Sequence, residues 1–248
     1  MATSAQDSTT SGRVRFANTH WSVVLLAGQS DSPFCQEALE NLCRSYWYPL
    51  YAFLRRQGYA TADAKDLTQA FFANFLQKNF LLAVNPAKGK FRSFLLMALK
   101  HFLANEWDRA KAEKRGGKHT IISLDEQTAE GRYLLEPSSS VTPEALYDHR
   151  WALTVLDEVL HHLKGEYEVA EKASQFEELH VYLSSEPAEG AYATVAARLG
   201  LSKGAVAVAV HRLRQRYGEL LRKEIGRTVS TPAEIPEEMR FLFSVFNR

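Results

Sequence analysis

Residues 192–217 read YATVAARLGLSKGAVAVAVHRLRQRY, with the spacing of two short helices joined by a tight turn. Residues 194–199 are expected to form the supporting helix, with Val195 and Leu199 on its apolar face and Ala196 small enough to let a second helix cross closely. Gly200 stands where the chain must stop and turn, because a left-handed backbone is cheap only without a Cβ. Leu201 is expected to fill the angle between the helices. Ser202 suits the N-cap of the next helix, its hydroxyl accepting from a backbone N–H two or three residues on. Val206, Val210 and Leu213 recur at i, i+4 and i+7 as an inward face. The outward face carries Lys203, Ala207, His211, Arg212, Arg214 and Gln215. Small residues near the start of such a helix let it sit deep in a major groove, and the cations beyond them suit the phosphates on either side.

Charge elsewhere in the chain supports a polyanionic partner. The 248 residues carry a net charge of +1, which conceals a cancellation. Residues 192–227 hold eight basic and two acidic side chains, and residues 88–118 hold nine basic and three acidic, so each block is +6 and the remainder is −11. Two basic surfaces on an otherwise acidic chain point to two contacts with a polyanion, the acidic remainder discouraging non-specific binding. A composition that is 46% hydrophobic provides a core, and the length fits two small domains.

Taken in order, residues 1–15 are polar and Ser/Thr-rich, and disorder is expected. Trp21 to Leu26 form a short apolar patch. Asp31-Ser32-Pro33 is a helix start, with Phe34, Ala38 and Leu42 inward. A second helix is expected from Pro49 to before Gly58, burying Leu50, Phe53 and Leu54. Thr61 is read as the cap of a third, on which Ala64, Leu67, Phe71 and Phe75 keep a helical period. After a loop with Asn85-Pro86 and Gly89, the stretch FRSFLLMALKHFLANEWDRAKAEKR makes a long helix, apolar at first and then cationic, with His101, Phe102, Asn105 and Trp107 among the charges. Rings interleaved with Lys and Arg suit single-stranded nucleic acid. The helical period is lost over 118–141, a linker by composition. Thr142-Pro143-Glu144 restarts helix. Beyond Arg227, Phe241, Leu242, Val245 and Phe246 make one apolar face that needs something to pack against. No stretch alternates as a strand would, so the expected class is all-α.

Other chemistry finds little support. Cys35 and Cys43, eight apart on a helix, are too distant to bridge, and no metal-ligand spacing is present. No cofactor is implied. No nucleophile elbow, zinc-protease motif or phosphate-binding glycine loop occurs, and no enzymatic activity of its own is expected. With no apolar leader and no spanning run, the cytoplasm is the expected location.

The segment YPLYAFLRRQGYATADAKDLTQAFFANFL, the long basic helix and the terminal helix pair together resemble the RNA polymerase sigma factors of the sigma-70 class, extracytoplasmic-function (ECF) type, over about residues 33–225. The resemblance implies two helical domains joined by a flexible linker: an N-terminal extension over 1–30, a sigma-2-like domain over 31–117, a linker over 118–142, a sigma-4-like domain over 143–228 and a C-terminal extension over 229–248. It implies that Asp63, Asp66, Leu67, Gln69 and Phe72 meet core RNA polymerase. Lys90, Arg92, Lys100, His101, Asn105, Trp107 and Arg109 would then serve the promoter −10 element. Ser202, Lys203, Ala205, Ala207, His211, Arg212, Arg214 and Gln215 would serve the −35 element. The implied partners are core polymerase and promoter DNA, and the family pattern admits an anti-sigma factor. His101 and Asn105 stand where many members have Asn and Asp, and Ala205-Val206-Ala207 where many have Thr-Val-Lys, which bears on promoter sequence. The alternative is a stand-alone dimeric helix-turn-helix transcriptional regulator, which would bind a palindromic site unaided.

Overall fold

The computed structural model describes residues 33–75, 90–112, 126–134, 141–229 and 231–247, with side chains from Ser45 in the first helix, up to Trp107 in the third and from Ala129 in the fourth. The readings for residues 1–32 and for the loop at 76–89 lie outside the described residues. Those described are all-helical: α1 (Pro33–Arg56), α2 (Thr61–Phe75), α3 (Phe91–Ala112), α4 (Glu126–Leu134), α5 (Pro143–Val169), α6 (Ala173–Leu179), α7 (Ala191–Leu199), α8 (Lys203–Gly226) and α9 (Ile235–Ser244), with short 3-10 turns at His180–Leu183, Pro232–Glu234 and Val245–Asn247.

α5 is the element on which most others rest. Thr142 caps it by accepting from the Ala145 N–H at 3.2 Å, and Pro143 takes the first turn, where its missing N–H has no cost. Its buried Tyr147, Trp151, Val155, Val159 and Leu163 recur every four residues, giving one continuous apolar stripe. One part of that stripe packs on α1, which buries Tyr46, Trp47, Leu50, Tyr51, Phe53 and Leu54, and another part packs on α8. Phe71, Phe72 and Phe75 of α2 and Phe91, Leu95, Leu99 and Phe102 of α3 fill the space beside α1.

Two expectations need correction here. The helix break at Pro49 does not occur: α1 runs unbroken from Pro33 to Arg56 with Pro49 inside it. A proline removes one ladder bond, and the close packing of α1 on α5 outweighs that loss. The 118–142 linker is not structureless either, since α4 lies within it. Glu130 of α4 takes a two-pronged grip from Arg55, at 3.1 Å from Nε and 2.8 Å from Nη2, and accepts a hydrogen bond from Tyr51. An acidic residue in the linker thus has a local cationic partner on α1.

The Arg55 guanidinium, opposed by burial and helped by the Tyr51 hydroxyl, holds the Glu130 carboxyl below its ordinary 4.5. A depressed carboxylate adds stability that is complete above its unfolded value and is lost as pH falls towards the folded one. The fall in Tm below pH 4.5 should therefore be steeper in the parent protein than in Glu130→Gln. Superimposable acid limbs in thermal melts would rule this contribution out.

The C-terminal segment finds the packing its apolar face demands. Leu242 and Val245 are buried, Phe241 lies 6.2 Å from the Trp151 ring, and Phe246 meets His149 edge-on at 5.3 Å. The Thr228 carbonyl accepts from the Phe91 N–H at 3.1 Å, joining the start of this segment to the start of α3.

Candidate nucleic-acid interface

α7 and α8 meet at 97° across the three residues 200–202, the crossing expected of a helix-turn-helix. Gly200 takes φ +64°, in the left-handed region, and Ser202 caps α8 by accepting from the Ala205 N–H at 3.2 Å. Val195 and Ala196 of α7 and Val206, Val210 and Leu213 of α8 are buried where the two helices pack together and α8 meets α5, as the periodicity requires. Leu201 differs from expectation. At 39% exposed it does not fill the inter-helix angle and instead borders a surface groove.

The expected −35 residues separate into two groups. Ser202, Lys203, Ala205, Ala207, His211, Arg212 and Gln215 are exposed. Lys203 and Arg212 form no ion pair among the described residues, while Gln215 donates to Glu219 at 3.3 Å. Arg214 is turned back onto the protein. Its Nε donates to the Tyr182 carbonyl at 2.8 Å and its Nη2 to the Ser185 carbonyl at 3.0 Å. These carbonyls close the 3-10 turn ahead of α7, so the Arg214 guanidinium is a fastener of the fold rather than part of an open face. Arg216 likewise forks onto Glu166 of α5, at 2.6 and 2.8 Å.

The first basic block is less open than its composition suggests. Arg92 is buried, bonded to Glu238 at 2.6 Å and Asp148 at 3.0 Å, and lies 3.6 Å from the Phe241 ring centre. Lys90 meets Glu237 at 2.8 Å and Glu238 at 2.9 Å. Neither is presented to a ligand as expected, because α9 covers them. Lys100, half-exposed, pairs with Glu144 at 2.7 Å, and His101 and Asn105 are exposed. Phe91 and Phe102 are core residues, whereas Trp107 is 63% exposed. Arg109 lies on α3 outside the described side chains.

On α2, Asp63 and Asp66 are exposed and Leu67 and Gln69 half-buried. Phe72 is buried beside Phe71, so its ring serves the core and leaves the outer face to its neighbours. No protein-family model, curated protein or solved structure matches this chain.

Geometry adds residues that periodicity did not single out. Val208, half-exposed, shares the outer side of α8 with Gly204 and Arg212 and borders a groove of about 570 Å³ whose far wall holds Tyr167, Ala170 and Lys172. An exposed valine one position after Ala207 was the available signal. Tyr59 and Glu144 come beside Trp107 and Lys100 only through tertiary packing. No cluster of three or more His, Cys, Asp or Glu suited to a metal ion occurs among the described residues, and no single described helix is long and apolar enough to cross a membrane.

Proposed function

We propose that the chain is a promoter-specificity subunit of the sigma-70 class, ECF type, which docks on core RNA polymerase and directs it to −10 and −35 elements. The observation that carries this reading is the helix pair crossing at 97° with an exposed outer face of Lys203, Ala207, Val208, His211 and Arg212. Such a face fits a major groove: Ala207 and Val208 suit thymine methyl groups, Arg212 suits a guanine edge or a phosphate, and Lys203 suits a phosphate. Residues 63–69 offer exposed acids for the polymerase. The activity asked of the chain is binding, orientation and capture of an opened strand, with no covalent step.

The test is co-elution with core polymerase on size exclusion. The parent chain should form a stoichiometric complex and Asp66→Arg should lose it. Asp66 is exposed, so this loss would report on docking rather than folding; Leu67→Ala, half-buried, requires a parallel melt. One observation favours the second reading, a stand-alone dimeric regulator of cytoplasmic type: α1 packs along α5, joining the first helical block to the helix-turn-helix block through a shared core. Failure of the parent chain to co-elute, together with a dimer by light scattering and an unaided footprint on a palindrome, would establish that alternative.

A further inference from the structure

Two of the cations expected to serve the −10 element lie under the C-terminal segment. Lys90 pairs with Glu237 at 2.8 Å and with Glu238 at 2.9 Å, while Arg92 pairs with Glu238 at 2.6 Å beneath the Phe241 ring. A carboxylate brings to a guanidinium the same charge and paired oxygens that a phosphate would bring. Glu237, Glu238 and Phe241 all belong to α9, a helix of 10 residues. A helix so short has little stability of its own, so it docks or leaves as one unit.

The same segment sets how far apart the two basic surfaces stand. Thr228, two residues past the end of α8, accepts through its carbonyl from the Phe91 N–H at 3.1 Å, which pins the start of α3 to that end of α8. α8 has 24 residues, with Lys203 at its other end. At about 1.5 Å per residue, Lys90 and Arg92 are held within roughly 45 Å of the helix-turn-helix face. Elements centred at −10 and −35 lie about 25 base pairs apart, or about 85 Å along B-form DNA. A straight duplex therefore cannot meet both surfaces in this arrangement, which is a closed one, with α9 laid over the cations.

We propose that α9 is an intramolecular latch: docked, its carboxylates occupy Lys90 and Arg92, and undocked, it surrenders both cations to the phosphates of a DNA strand. The inference rests on the proposed function, which supplies the role of the two cations. Linkage gives the latch a signature. If undocking α9 raises affinity for a strand, the strand must favour undocking by the same factor. The affinity observed is then the intrinsic one reduced by the fraction of molecules with α9 undocked. A helix that only completes the core has no such coupling. Glu238 is sealed, with 0% side-chain exposure, but Glu237 is 65% exposed and can be changed without opening the core.

Native-state hydrogen exchange on the full-length protein, read over residues 235–247 with and without a short single-stranded DNA, measures the undocking. These amides should exchange through an opening smaller than global unfolding, and saturating strand should speed them by at least roughly 5-fold, the lower end of usual couplings. Anisotropy of the same strand, labelled with fluorescein, reads affinity. Glu237→Gln should bind a few-fold more tightly than the parent and melt like it, and adding Lys90→Gln should remove the gain. Glu177→Gln makes the same charge change by breaking the 2.8 Å pair with Lys164 on other helices, and should bind as the parent does. Exchange of residues 235–247 through global unfolding alone, no acceleration by the strand, equal affinities for Glu237→Gln and Glu177→Gln, or no strand binding by any of these proteins would each overturn the latch. Co-elution with core polymerase decides the proposed function separately, since neither the exchange nor the anisotropy requires polymerase.

Discussion

Glu238→Ala is expected to destabilise the protein by about 3–5 kcal/mol, the cost of leaving buried charge without its partner. Glu238 has 0% side-chain exposure, accepts a hydrogen bond from Arg92 at 2.6 Å and forms an ion pair with Lys90 at 2.9 Å. Removing its carboxylate would strand the Arg92 guanidinium, which is 8% exposed and retains, among the described residues, only Asp148 as an acidic partner. The neighbouring Glu237, 65% exposed on its side chain, provides the control: Glu237→Ala should cost far less than Glu238→Ala despite removing an ion pair of similar length. Replacing Arg92 and Glu238 together by methionine should recover most of the loss, because a well-packed apolar pair can substitute for a buried ionic one. Urea unfolding with equal m-values across the set would measure all three. Comparable losses from Glu237→Ala and Glu238→Ala would mean that burial is not what makes this contact strong. A large loss in Glu238→Ala would identify α9 as a structural clamp across α3, α5 and α8, since Phe241, Leu242 and Val245 are held by the same docking.

The contrast between these two glutamates also marks the boundary of what the sequence could tell. The helix-turn-helix was legible because its determinants are local: Gly200 fixes the turn, Ser202 caps three residues ahead, and Val206, Val210 and Leu213 share one face by period alone. The apolar demand of residues 241–246 was legible for the same reason. The identity of their partner was not, because Arg92 and Glu238 lie 146 residues apart and nothing in either neighbourhood names the other. Pro49 misled because a local breaker was outweighed by the packing of α1 on α5. Phe72 was given a polymerase-facing role by the resemblance, although α2 buries it and the adjacent Phe71 together. Composition located the basic blocks but could not separate a cation with a carboxylate partner from one without, and that distinction decides which residues can meet DNA.

Arg212 and Arg214 put that distinction to its sharpest test, since a single residue, Leu213, separates them and their residue type and spacing point to the same role. Arg212 is exposed on the outer face of α8 and forms no ion pair among the described residues, whereas Arg214 donates to the Tyr182 and Ser185 carbonyls. Charged hydrogen bonds contribute more than neutral ones, and with the Arg214 side chain 38% exposed Arg214→Ala should cost about 1–2 kcal/mol of stability. Duplex affinity per folded molecule should change little. Lys203→Ala combined with Arg212→Ala should do the reverse, leaving Tm within a degree or two and weakening duplex binding roughly 10- to 100-fold, with a shallower salt dependence. A loss confined to particular base pairs would mark Arg212 as reading an edge; a uniform loss would mark it as a phosphate contact. If Arg214→Ala weakens the duplex as much as the double variant while melting normally, the turn ahead of α7 does not depend on it and the DNA-facing surface of α8 is wider than its geometry indicates.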